Sequence, residues 1–168
     1  MKIVFEKVSF SYGEKTALKE ISFVAPAGKR IALVGESGAG KSTIMNLMLR
    51  FYDPEKGTIK IDGIDIKTSS LKSLRENIAL VNQETFLFDD TVKSNIAYGR
   101  LGATDDEIVA AAYAAAAHDF IVELPQGYDT MIGQHGLRVS GGQRQRITIA
   151  RAMLKDATYF FLMKPPHP

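Results

Sequence analysis

The sequence contains no cysteine. That excludes disulfide staples and thiolate metal sites, and it is compatible with a reducing compartment. Nor does any apolar run approach the ~20 residues that a membrane-spanning helix needs. The most apolar helical stretch, IVAAAYAAAA, is mostly alanine and ends at His118-Asp119. A secretory leader is not expected either, because MKIVFEKVSF alternates like a strand and meets Glu6 and Lys7 too early. Excess charge of one sign is scarce. The net charge of +2 is too small to argue for a nucleic-acid partner or an anionic membrane surface. These absences predict a soluble chain that binds no nucleic acid.

What is present suits an ordinary globular protein. Hydrophobic residues make up 45% and charged residues 24% of the 168 positions, enough for one domain with a substantial core. Val4, Phe5, Val8 and Phe10 sit among polar residues before Ser11-Tyr12-Gly13, which predicts a strand and a turn. ISFVAP predicts a second strand, and RIALVG a third that is apolar enough to be buried on both faces. TIMNLMLRFY has its apolar residues at helical spacing and stops at Asp53-Pro54. TIKIDG and IALVNQ read as further strands. From about Asp89 to Gly136 the pattern turns helical. Thr104 and Glu107 form a capping box, which opens a helix expected to run through the alanines to Leu124-Pro125. A last helix is expected from about Ser140-Gly141-Gly142 and carries QRQRITIARAML.

Between the third strand and the first helix lies Gly35-Glu36-Ser37-Gly38-Ala39-Gly40-Lys41-Ser42, which matches the phosphate-loop pattern in its proper strand-to-helix context. Glycines let backbone N–H groups converge on phosphate oxygens where side chains would obstruct them. The helix N-terminus adds favourable partial charge. Lys41 can neutralise the outer phosphates, and Ser42 can offer its hydroxyl to Mg²⁺. With Thr43 beside them, these residues are the candidate nucleotide site. Farther along, Val139-Ser140-Gly141-Gly142-Gln143 precedes the basic run Arg144-Gln145-Arg146.

A phosphate loop followed by SGGQ resembles the ATP-binding-cassette (ABC) ATPases, whose signature is LSGGQ, here with Val139 for the leucine. The resemblance implies an α/β P-loop fold with an antiparallel β edge and an inserted helical subdomain, and it extends over nearly the whole chain. Residues 1–88 would form the ATP-binding core and 89–139 the helical subdomain. Residues 140–168 would hold the signature helix and an interrupted Walker B strand. It further implies that Tyr12 stacks on adenine and that Gln83 reaches Mg²⁺ and the attacking water and relays to a membrane domain. The stretch around Phe86, Phe88, Thr91 and Asn95-Ile96 looks like the exporter branch, in particular half-transporters for lipids or drugs. In such proteins Ser140, Gly141, Gly142 and Gln143 close on the γ-phosphate held by a second nucleotide-binding domain, head to tail, at the cytoplasmic face of the membrane. ATP and Mg²⁺ are the implied cofactors, and an exporter's transmembrane domain the implied partner.

One part departs from the family pattern. The strand after the signature helix should end in Asp-Glu, the first ordering the magnesium shell and the second polarising water. Met163 and Lys164 stand there instead. A thioether is a poor Mg²⁺ ligand and an ammonium repels the ion. The genetic code offers a reason. Met163 is ATG and Lys164 begins AA, so reading one base earlier gives Glu at that boundary, and Asp before it if the Leu162 codon ends in G. The following codons can then read Ala-Thr-Ser-Ser, as the family continues. A lost base near Ala157 is therefore the expected origin of the tail, and negligible hydrolysis by this chain the expected consequence. Two other readings stand beside the exporter domain: a degenerate module that holds nucleotide and regulates a partner, and a soluble ABC ATPase of the chromosome-maintenance or translation type.

Overall fold

The computed structural model describes residues 2–81, 85–133 and 138–163. The chain divides into two compact units, Met1–Arg75 and Glu76–Pro168.

In the first unit, β1 (Ile3–Tyr12) pairs antiparallel with β2 (Lys15–Ala25) on one side and with β3 (Lys56–Ile61) on the other. A short β4 (Ile64–Asp65) completes the order β2-β1-β3-β4. Ile3, Phe5, Val8 and Phe10 of β1 are buried. Strict alternation would put Val8 and Phe10 on the wrong face after Phe5. A bulge corrects this, with the register shifting between Phe5 and Val8 and Lys7 at φ 47°. The Ser22 hydroxyl accepts the Lys7 N–H at 2.8 Å.

Helix α1 (Lys41–Met48) buries Thr43, Ile44, Leu47 and Met48, the i, i+1, i+4, i+5 stripe of a helix lying on a core. It is shorter than TIMNLMLRFY suggested, because Arg50 turns into the left-handed region at φ 49°. The carbonyls freed at that end are met by arginine. Arg75 donates to the Leu49 and Arg50 carbonyls at 3.0 and 3.1 Å, and lies over the Phe51 ring. Arg50 itself donates to the Ile66 and Ser69 carbonyls, both at 2.9 Å. Helix α2 (Leu71–Glu76) follows.

The third strand expected at residues 30–35 is not formed. Those residues carry no strand pairing among the described residues, and Ile31 and Val34 are 50% and 87% exposed. A segment apolar on both faces is buried only between two neighbouring strands. No described strand hydrogen-bonds to this one.

The second unit is built on β5 (Ile78–Val81), which pairs in parallel with β8 (Tyr159–Leu162), Ile78 opposite Tyr159 and Val81 opposite Leu162. The apolar strand expected after the signature helix is thus in place. Helix α6 (Gly141–Leu154) packs Ala152 against Ala79 and Val81. Its Ile147, Ala150 and Leu154 join a core with residues of α3 (Val92–Ala97), α4 (Asp105–Ala114) and α5 (His118–Val122). A minimal pair, β6 (Asp90–Thr91) with β7 (Met131–Ile132), ties the two ends of this helical region.

The capping box that opens α4 is formed, the Thr104 N–H donating to Glu107 at 2.9 Å and the Glu107 N–H to Thr104 at 3.3 Å. The helix does not run to Leu124 as expected. It ends at Ala114, Ala116 adopts φ 52°, and the Ala117 N–H returns to the Ala112 carbonyl at 2.8 Å. That Schellman-like closure costs alanine little more than its left-handed strain. It lets Ala117, Phe120 and Ile121 turn inward and be buried. Propensity favoured one helix; burial chose two.

One polar hub fixes α6 in this unit. The fully buried Asn95 side chain donates to the Phe88 and Thr91 carbonyls at 3.0 Å and accepts the Phe88 N–H at 2.9 Å. Arg151 of α6 donates to the Asn95 carbonyl at 2.7 Å, to its side-chain oxygen at 2.8 Å and to the Phe86 carbonyl at 3.1 Å. Burial pulls the Arg151 guanidinium below its usual range, so these acceptors are what keep its charge tolerable. Arg151→Ala takes a donor from both Asn95 oxygens and from the Phe86 carbonyl and should cost about 2–4 kcal/mol of stability. Arg151→Lys, lacking the planar fork, should recover less than half. Urea unfolding of the three chains measures both; equal midpoints for wild type and Arg151→Ala would refute the role.

Candidate nucleotide site

The loop from Gly35 to Gly40 is exposed up to Gly40, which is buried where the backbone enters α1. Gly40 is the N-cap of that helix, at φ 85°. A Cβ there would meet Leu18 Cδ2 at 2.6 Å and the Ala17 carbonyl oxygen at 2.8 Å. Both conformation and space demand glycine. With no side chain at the cap, no side-chain hydrogen bond closes the first turn of α1. Its leading N–H groups are left to an outside acceptor, the arrangement that receives phosphate. Lys41 is held across the loop by two bonds from its ammonium, to the Gly35 and Glu36 carbonyls, each 2.7 Å. An ammonium has three donors, so one remains for an anion above the loop. Ser42 is exposed, whereas the Thr43 side chain is buried. Any contact of Thr43 with a ligand therefore comes from its N–H.

Tyr12 ends β1, 38% exposed, and its hydroxyl accepts a hydrogen bond from Asn46 of α1 at 3.0 Å. Phe10 and Tyr52 meet its ring edge-on at centroid distances of 4.8 and 5.2 Å. Thus the ring and the phosphate loop are tied to one helix. The same unit holds a concavity of about 910 Å³, lined by Val4, Glu6, Phe23, Lys56 and Thr58 among others, which shares no residue with the loop.

In the second unit, Ser140 is the N-cap of α6. Its hydroxyl accepts the Gln143 N–H at 3.2 Å, and the Gln143 side chain accepts the Ser140 N–H at 2.8 Å. SGGQ is therefore a capping box in its own right. The Ser140 hydroxyl accepts with a lone pair, so its hydrogen is still available to donate. Val139 is buried beneath the turn, and its carbonyl receives Arg144 at 2.7 Å. Gly141 and Gly142 are exposed, have no positive φ, and a Cβ on Gly142 would touch nothing within 4 Å. The fold does not require these glycines.

At the end of β8 the Met163 N–H donates to the Val81 carbonyl at 2.9 Å, extending the ladder by one bond. Gln83 lies outside the described residues, as do Glu84, Gln134, His135 and Lys164. Among the described residues no group of three His, Cys, Asp or Glu side chains could hold a metal ion, and no helix is long and apolar enough to cross a membrane.

A family profile described as ABC transporter matches residues 18–165. The chain belongs to the ABC transporter family. Its fold is the α/β P-loop fold of an ABC ATPase, and ATP binding comes with that membership. This ABC chain is 53% identical over 161 residues to the ATP-dependent lipid A-core flippase of Syntrophus aciditrophicus, covering 96% of this chain and 27% of that protein. It is 54% identical over 155 residues to ATP-binding cassette sub-family B member 6 of Xenopus tropicalis, covering 92% and 18%. Among solved structures, a bacterial Atm1-family ABC exporter with ATP bound superposes with a TM-score of 0.92 at 49% identity, covering 96% of this chain and 28% of that one. The ABC chain thus spans between 18% and 28% of the length of these relatives. Within the site, the Asn46–Tyr12 bond went unread in the sequence, since nothing local signals it. The Ser140–Gln143 box is legible in the S-x-x-Q spacing, which the signature pattern masks.

Proposed function

We propose that this chain is the ATP-binding domain of an exporter half-transporter, one that uses ATP to move a lipid or drug outward. The observation that carries the reading is the open N-terminus of α1. Gly40 caps it without a side chain, and Lys41 is held over the loop with a donor to spare. Gly35, Glu36, Ser37, Gly38, Ala39 and Gly40 would wrap the phosphates with the Lys41, Ser42 and Thr43 N–H groups, while Tyr12 stacks on adenine. Mg²⁺ fits only in part, with Ser42 as the one exposed oxygen donor of the loop helix and Gln83 as the second candidate. When bound, the ion would neutralise charge on the outer phosphates.

Ser140, Gly141, Gly142 and Gln143 would close on the γ-phosphate of ATP held by a second nucleotide-binding domain, head to tail. Support comes from the two glycines. Each lowers helix propensity by about 0.5–1 kcal/mol relative to alanine, and no packing need explains them. Close approach of an anion to the backbone does. The helical subdomain at 89–139 would face a transmembrane domain at the cytoplasmic side of the membrane. Tyr98 and Leu101 support this, being large apolar groups left exposed on that subdomain, with Phe86 and Phe88 exposed just ahead of it. One observation favours a second reading, a nucleotide-holding module that does not hydrolyse: Met163 directly follows β8, where the family pattern has a carboxylate.

Calorimetric titration with ATP tests the binding reading. The wild-type chain should bind, and Lys41→Ala should weaken binding about 10- to 100-fold by removing a charge-assisted contact. Equal affinities in the two chains would refute the site.

A further inference from the structure

We propose that Asn46 is a positioning residue that holds the Tyr12 ring at a fixed distance from the phosphate loop, so that α1 acts as a ruler between the triphosphate and the base. The inference rests on the adenine role proposed above for Tyr12 and adds to it the group that sets the ring.

Tyr12 lies at the last position of β1, where the strand gives way to the turn at Gly13. An exposed tyrosine at a strand end is free to swing about two side-chain torsions. Here its far end is tied: the Asn46 side-chain amide donates to the hydroxyl at 3.0 Å. Phe10 stands edge-on at 4.8 Å and an interplanar angle of 90°, Tyr52 at 5.2 Å and 89°. Phe10 and Tyr52 in turn contact each other at 5.4 Å. The two aromatic contacts restrict the ring's tilt, and the hydrogen bond restricts its reach.

Asn46 belongs to the helix whose first residue is Lys41. Five residues of helix span roughly 7.5 Å along the axis, so one rigid element carries both the phosphate end and the tether of the ring. The consequence is specific. Losing the tether should cost binding only for ligands that have a base, because the loop, Gly40 and Lys41 do not depend on Asn46.

The test titrates Asn46→Leu, Tyr12→Phe, the double variant Asn46→Leu/Tyr12→Phe and Tyr12→Ala with ATP and, separately, with inorganic tripolyphosphate. Asn46→Leu keeps the side chain's branched shape and removes the donor; Tyr12→Phe keeps the ring and removes the acceptor. Each should weaken ATP binding about 3- to 10-fold, with tripolyphosphate affinity within about twofold of wild type. The double variant should lose no more than either single one, because both remove the same bond. Tyr12→Ala should lose more, about 5- to 150-fold, for ATP alone. Tripolyphosphate binding also reports that the loop is folded, and Tyr12→Phe carries the test if Asn46→Leu does not fold.

Equal losses for both ligands in Asn46→Leu would mean helix support instead and would overturn the proposal. So would additive losses in the double variant, or unchanged ATP affinity in both single variants while Tyr12→Ala is impaired. Unchanged ATP affinity in Tyr12→Ala would overturn the adenine reading itself, a failure separate from that of the tether.

Discussion

ATP turnover by this chain as written should be indistinguishable from background, although ATP binds. Hydrolysis needs a water aligned on the γ-phosphate and a base to draw its proton, and a positioned general base contributes roughly 10²–10⁴-fold. The end of β8 is where the family places both carboxylates. There Met163 continues the ladder with its N–H on the Val81 carbonyl, and its thioether is at best a weak acceptor. The oxygen donors proposed for the metal, Ser42 and Gln83, would supply part of its shell and no base. A chain read in the shifted frame, ending the strand in Asp-Glu and continuing as relatives do, should raise phosphate release by at least about 100-fold. The comparison is made at matched concentration, with Lys41→Ala in both backgrounds to remove contaminating activity. Substantial Lys41-dependent turnover by the chain as written would sink the claim and direct attention to Glu84, beside Gln83.

Much of this site could be read before any fold was known, because it depends on short-range geometry. Glycines at fixed spacing ahead of a helix mark a candidate phosphate loop without help from distant residues, and Gly40 has the positive φ that the motif demands. The capping boxes at Thr104 and Ser140 are equally local. What escaped was decided by distant partners. Residues 30–35 look like a strand from composition alone, but a strand exists only through its neighbours, and no described strand pairs with them. The alanine run looks like one helix because alanine has the highest propensity. Burial of Ala117, Phe120 and Ile121 outweighs that preference at Ala116. The sequence marks Asn95 only as part of the exporter-like stretch, and its structural role appears once Arg151, 56 positions later, reaches its carbonyl and its side chain. Asn46 is similar, since its partner Tyr12 is 34 residues away. Local chemistry was legible and long-range pairing was not.

The two glycine motifs should respond in opposite ways to a single added side chain. Gly40→Ala places a methyl group 2.6 Å from Leu18 Cδ2 and 2.8 Å from the Ala17 carbonyl oxygen, at a φ of 85° that alanine resists. The loop must shift to relieve it. Strain of about 2–3 kcal/mol taken from the binding geometry corresponds to roughly 30- to 150-fold weaker ATP binding, with a lower melting temperature as well. Gly142→Asp meets no such barrier, since a Cβ there touches nothing within 4 Å. In the first turn of α6 a carboxylate also suits the helix dipole, so stability should hold or rise by about 0.3–1 kcal/mol. ATP affinity of the single chain should be unchanged. What should disappear is ATP-driven association of two chains, followed by light scattering in the presence of Mg²⁺, because the carboxylate would stand against the γ-phosphate that SGGQ is proposed to receive. An Asp at this position that leaves association intact would show that Gly142 does not face phosphate. One that unfolds the chain would show that the open space around it is needed for packing.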